Sequence, residues 1–201
     1  QAHFSHVNES LAIIKSTKIV WRLIINSAVF VFCMEAAGKF FQPYMVEAQI
    51  PIAWFGFVYM GIMFLAAFGT RYTFFLEKKI SRANIANVSG WIGIIPLLIV
   101  GFRFISITGI FLFFILLFLK SARRPGMLTE LNSHIPAKKR ATILSTDSLF
   151  RSLFSLALLP IVGYISDAFS IYTAMLFIGI FLTASQILFP IPHPKRQHRD
   201  K

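Results

Sequence analysis

From Ile19 to Leu188 the chain is a succession of apolar runs separated by short gaps, and most of those gaps are basic. Six runs are read at about 19–44, 52–75, 84–101, 105–119, 141–165 and 171–188. A bilayer core about 30 Å thick takes roughly 20 helical residues to cross, so the runs predict an all-α membrane protein with six transmembrane helices. Composition agrees. Hydrophobic residues make up 56% of the 201-residue chain, charged residues 14%, and 23 residues are phenylalanine. A chain of this make-up has more apolar surface than one small globule can bury, and much of it is expected to face lipid.

The net charge of +12 would suggest nucleic acid in a soluble protein. Here the cations cluster between apolar runs, so the charge is read as a topology signal and no nucleic-acid partner is expected. Apart from Lys39, Arg103 and Arg151, every Lys and Arg falls on one side of the alternation of runs. By the positive-inside rule that side is cytoplasmic, which places both termini there. Residues 1–18 read as a cytoplasmic amphipathic linker and 190–201 as a basic cytoplasmic tail. The chain opens with Gln1 and lacks the apolar core of a signal peptide, so a processed chain, a truncation or a piece of a longer product is expected. Cys33 is the single cysteine, so an internal disulfide is impossible.

Polar residues inside the runs are not scattered. Asp147, Ser148, Arg151, Ser152 and Ser155 share one side of a helix at about 100° per residue. Arg151 lies near mid-bilayer, where a charge costs roughly 2.5–3.5 kcal/mol and requires protein or water beside it. Asp147, one turn earlier, is its nearest candidate partner. A second stripe in the first run holds Glu35, Lys39 and Gln42. Two readings of Glu35 stay open: a proton carrier, or a permanent pair with Lys39 near the outer mouth. Likewise Asp147 and Arg151 are read either as part of a substrate or ion pathway or as a structural pair. The phenylalanines of the fourth run, Phe111, Phe113, Phe114 and Phe118, read as an aromatic wall for a ligand or as packing.

A family resemblance rests mainly on residues 131–167. Leu131-Asn132, Ile135-Pro136, Arg140-Ala141-Thr142, Leu144-Ser145, Gly163-Tyr164 and Asp167 resemble the segment joining helices 10 and 11 of major facilitator superfamily transporters, closest to bacterial drug-efflux types. The segment 40–51, FFQPYMVEAQIP, resembles the outer end of helix 7. The resemblance implies the C-terminal half of a twelve-helix transporter, built as two inverted three-helix repeats that split after Gly101. It implies alternating access by an integral protein of the plasma (inner) membrane. Its partners would be lipid, the N-terminal six-helix half and a small organic solute. It also implies that Asn26, Glu35 and Gln42 line a central cavity. In the family, the loop between helices 8 and 9 often carries a Gly-x-x-x-Asp-Arg-x-Gly-Arg motif. Gly69 and Arg71 are all that remains of it here, and with Arg140 and Asp167 they are the candidates for loop or gating roles. No cofactor is implied beyond a coupling ion, with the proton foremost.

Enzyme chemistry finds little footing. All five histidines (His3, His6, His134, His193, His198) lie outside the runs, so none is placed for haem ligation or as a base for Ser89. No paired Cys/His spacing for zinc and no Walker-type phosphate loop is present. The alternative of a different class is a non-transporting six-helix scaffold or receptor subunit, in which the internal charges serve assembly alone.

Overall fold

The computed structural model describes residues 18–103 and 109–192. They form six helices: α1 (Lys18–Glu47), α2 (Phe55–Leu76), α3 (Arg82–Gly101), α4 (Gly109–Ser133), α5 (Arg140–Ala168) and α6 (Ile171–Leu188). Short 3₁₀ turns at Ile52–Trp54 and Ala137–Lys139 precede α2 and α5, each introduced by a proline, Pro51 or Pro136. Ser81 and Ser170 cap α3 and α6 by accepting from the backbone N–H of Asn84 and Thr173.

Five helical stretches, Lys18–Glu47, Ile52–Leu76, Arg82–Gly101, Arg140–Ala168 and Ile171–Leu188, are long and apolar enough to cross a membrane, which marks a multi-span helical membrane protein. The fourth span departs from expectation. Where the sequence predicts a run ending at Leu119 and then a polar loop with a short helix at about 127–133, α4 continues unbroken to Ser133 with Pro125 inside it. The reason is periodicity. Leu119, Ala122, Arg123, Gly126, Met127 and Leu131 recur at helical spacing and are all buried, so one stripe continues although the charges lower the mean hydropathy. The first residues of the expected run, 105–108, lie outside the described residues, as do 1–17 of the expected linker and 193–201 of the tail. Residues 191 and 192 are described, and Ile191 is not free tail. It is buried, its carbonyl accepts from Asn87 Nδ2 at 2.8 Å, and its N–H donates to Asn87 Oδ1 at 3.2 Å.

α1 is the central element. It packs on α4, α5 and α6, and fifteen of its residues are buried, whereas α2 and α5 bury only three each. Ring pairs fix its neighbours. Phe41 and Tyr44 meet Phe113 of α4 at 5.0 and 5.2 Å, Phe32 meets Phe181 of α6 at 5.9 Å, and Trp21 meets Phe150 of α5 at 5.7 Å. The same pairs give direction. Residue numbers fall on α4 and α6 as they rise on α1, so α1 is antiparallel to both.

α2 runs parallel to α4, with Gly61 beside Phe114, Gly69 against Phe118, and Thr73 donating to the Ala122 carbonyl at 2.7 Å. The phenylalanines of α4 therefore serve packing, except Phe111, which is exposed. α3 packs on α6 through glycines. A Cβ at Gly101 would lie 2.9 Å from the Leu176 backbone nitrogen, and one at Gly90 would overlap the Gln186 side-chain amide. The outer faces of α2 and α5 carry exposed Phe57, Phe64, Phe68, Leu149 and Leu153. Apolar surface on this scale calls for lipid or another helix.

Prolines lie inside four helices: Pro43 in α1, Pro96 in α3, Pro125 in α4 and Pro160 in α5. The sequence ends the first span at about residue 44, just past Pro43, yet α1 runs on to Glu47, because surrounding helices tolerate the lost hydrogen bond.

Candidate functional site

α1, α4 and α5 diverge on one side of the bundle and leave an open cleft of about 850 Å³. α1 contributes Leu23, Ser27, Phe30, Val31 and Glu35 to its wall. α5 contributes the polar stripe Asp147, Ser148, Arg151, Ser152 and Ser155, together with Leu156, Leu159 and Pro160. The third wall is the charged half of α4, with Lys120, Arg123 and Arg124 at the polar positions.

Two ion pairs stand in this cleft. Arg151 Nη2 donates to Asp147 Oδ2 one turn earlier on α5. Asp147 is only 3% exposed, and its Oδ1 hydrogen-bonds nothing among the described residues. Across the cleft, Lys120 Nζ lies 3.3 Å from Glu35 Oε1. The expected proximity of Glu35 to Lys39 gives way to this pairing. α1 and α4 approach closely here, since a Cβ on Gly38 would sit 3.9 Å from Leu117 Cδ2, and that approach carries the Lys120 ammonium to Glu35. Lys39 is exposed farther along α1. Glu35 stands 17 residues after Lys18, about 25 Å along the helix at 1.5 Å per residue.

Beneath these pairs a polar network crosses the core. Arg123 is 2% exposed and its Nη2 donates to Asn26 Oδ1. The guanidinium carbon lies 4.0 Å from the Phe30 ring centroid, a cation–π contact. Asn26 Nδ2 in turn donates to the Phe189 carbonyl at 2.9 Å and to Gln186 Oε1 at 3.4 Å, tying α1 to the end of α6. Arg123 Nε and Nη1 have no hydrogen-bond partner among the described residues.

The structure thus gathers Glu35, Asp147 and Arg151 in one cleft and places Asn26 behind its wall. It does not bring the other candidates there. Gln42 is exposed beyond Lys39 on α1. Gly69 is buried, and a Cβ there would lie 3.0 Å from the Phe118 carbonyl oxygen, so its small size serves the α2–α4 contact. Arg71 is exposed on α2, Asp167 is exposed at the end of α5, and Arg140 donates to the Asn132 carbonyl at 3.3 Å where α5 begins. Sequence reasoning missed Lys120, Arg123 and Arg124. The signal that would have found them is the helical spacing of Leu119, Ala122, Arg123, Gly126 and Met127 across the supposed loop. Among the described residues no cluster of His, Cys, Asp and Glu suits a metal ion. No protein-family model, curated protein or solved structure matches the chain.

Proposed function

We propose that the chain is the C-terminal six-helix half of a secondary transporter of the major facilitator type, and that the cleft between α1, α4 and α5 is its share of a solute pathway. The observation that carries this reading is the scheme of helix contacts. Exchanging α1 with α4, α2 with α5, and α3 with α6 turns α2·α4 into α5·α1 and α3·α4 into α6·α1, and leaves α1·α4 and α3·α6 unchanged. Of the major helix contacts, α5·α6 alone has no counterpart of similar extent. Two three-helix repeats related by a two-fold axis in the membrane plane have this pattern. The first helix of each repeat then lies at the centre, where α1 and α4 meet beside the cleft, and α4 crosses the membrane with the rest.

In this reading the basic end of the bundle, with Lys18, Arg22, Lys78, Lys79, Arg82 and Arg140, faces the cytoplasm. The solute is a small organic molecule, and the second half closes the open side of the cleft. Ionisable groups inside a membrane domain mark pathways by default, and both ion pairs sit there. The test is transport by the complete gene product in proteoliposomes. Six further apolar spans in that product, with saturable solute flux that Arg151→Ala abolishes while the protein stays monodisperse, is the expected result. Absence of a second half and of any flux would leave the scaffold or receptor-subunit reading.

A further inference from the structure

The cleft wall carries four cations, Lys120, Arg123, Arg124 and Arg151, against two carboxylates, Glu35 and Asp147. Two of the cations are matched by those carboxylates. Arg123 and Arg124 have no acidic partner among the described residues. Arg124 is exposed and water can serve it, but Arg123 is almost fully buried, with two of its three guanidinium nitrogens lacking a hydrogen-bond partner among the described residues. Buried donors are ordinarily satisfied, and a buried cation without an anion is costly. Turning Arg123 towards the free Asp147 Oδ1 would not remove the deficit, because four cations would still share two carboxylates.

We propose that this deficit is met by the solute, and that the cleft binds an organic anion whose carboxylate, sulfonate or phosphate group accepts from Arg123, with Arg124 at its mouth. The proposal rests on the reading of the cleft as a solute pathway and names the class of solute. Charge-assisted hydrogen bonds from a guanidinium to an oxyanion are among the strongest available in a protein. The rest of the wall sets the body of the ligand. Leu23, Phe30, Val31, Leu156 and Leu159 line the same space, and about 850 Å³ is far more than an inorganic anion fills. An amphipathic anion with an apolar or aromatic body fits both the charge and the volume. The excess of positive charge in the cleft disfavours a cationic solute.

The experiment uses the complete gene product in lipid nanodiscs, with radiolabelled naphthalene-2-sulfonate and decyl phosphate as anionic probes and tetraphenylphosphonium as the cationic one. Saturable binding of at least one anion, weakened tenfold or more in Arg123→Gln and several-fold in Arg124→Gln, and unchanged in Lys79→Gln, is the expected result. Arg124 is exposed, so its variant keeps the test open if Arg123→Gln does not fold. Saturable binding of tetraphenylphosphonium with neither anion bound would overturn the proposal. So would anion binding that neither arginine variant weakens, and so would no binding of any probe. Counterflow of the same probes in proteoliposomes separates the two readings. Arginine-dependent anion binding without flux keeps the anion site and refutes transport, whereas flux of the cation alone keeps transport and refutes the anion.

Discussion

Lys120 Nζ and Glu35 Oε1 meet at 3.3 Å across the contact between the central helix and α4, although they are 85 residues apart in the chain. The side chains remain 34% and 42% exposed, so the cleft screens the pair. Its coupling energy in a double-mutant cycle is expected to be on the order of 0.2–1 kcal/mol, as for open ion pairs. Thermal unfolding in detergent of Glu35→Gln, Lys120→Met and the double variant measures it. A coupling near zero would mean that the two groups do not interact, and recovery of stability by the swapped pair Glu35→Lys with Lys120→Glu would show that charge is what matters.

Asp147 and Arg151 form the contrasting pair, since the carboxylate is nearly inaccessible. Removing Arg151 leaves the Asp147 carboxylate buried without its partner, which costs roughly 3–5 kcal/mol for pairs of this kind. Arg151→Ala is therefore expected to lower Tm by something on the order of 10 °C for a chain of this size. The double variant Asp147→Asn with Arg151→Gln, which leaves no charge behind, should regain most of the loss. Equal melting of Arg151→Ala and the double variant would contradict that account.

Glycine at 101 is a packing requirement, and glycine at 163 is not. A Cβ at Gly101 meets the backbone nitrogen of Leu176 at 2.9 Å, and backbone cannot swing aside, whereas nothing lies within 4 Å of one at Gly163. Gly101→Ala should force α3 from α6 at a cost of roughly 1–3 kcal/mol. Gly163→Ala should be neutral or slightly stabilising through helix propensity. Melting curves of the two variants side by side decide the matter, and equal loss in both would refute it.

These relationships were legible in the sequence to different depths. Six helices follow from hydropathy, because length and apolarity are properties of local segments. The nearness of Asp147 to Arg151 follows equally from i, i+4 spacing on one helix. The partner of Glu35 does not follow, since it depends on the register of two helices far apart in sequence. Residues 120–126 read as a loop, and 127–133 as a separate short helix, because Lys120, Arg123, Arg124 and Glu130 lower the mean hydropathy. A window average weighs each charge equally and ignores which side of the helix it occupies. Arg123 shows the difference most sharply, having the composition of a loop residue and the burial of a core residue.

Pro160 lies on the cleft wall, and a proline has no N–H to offer the residue four positions before it. That residue is Leu156, which also lines the cleft. Its carbonyl oxygen has lost its regular helical donor, so the hydrogen-bond ladder of α5 is interrupted at the turn that lines the cleft. Side-chain substitution at Leu156 leaves that gap as it is, whereas Pro160→Ala supplies the missing donor and closes it.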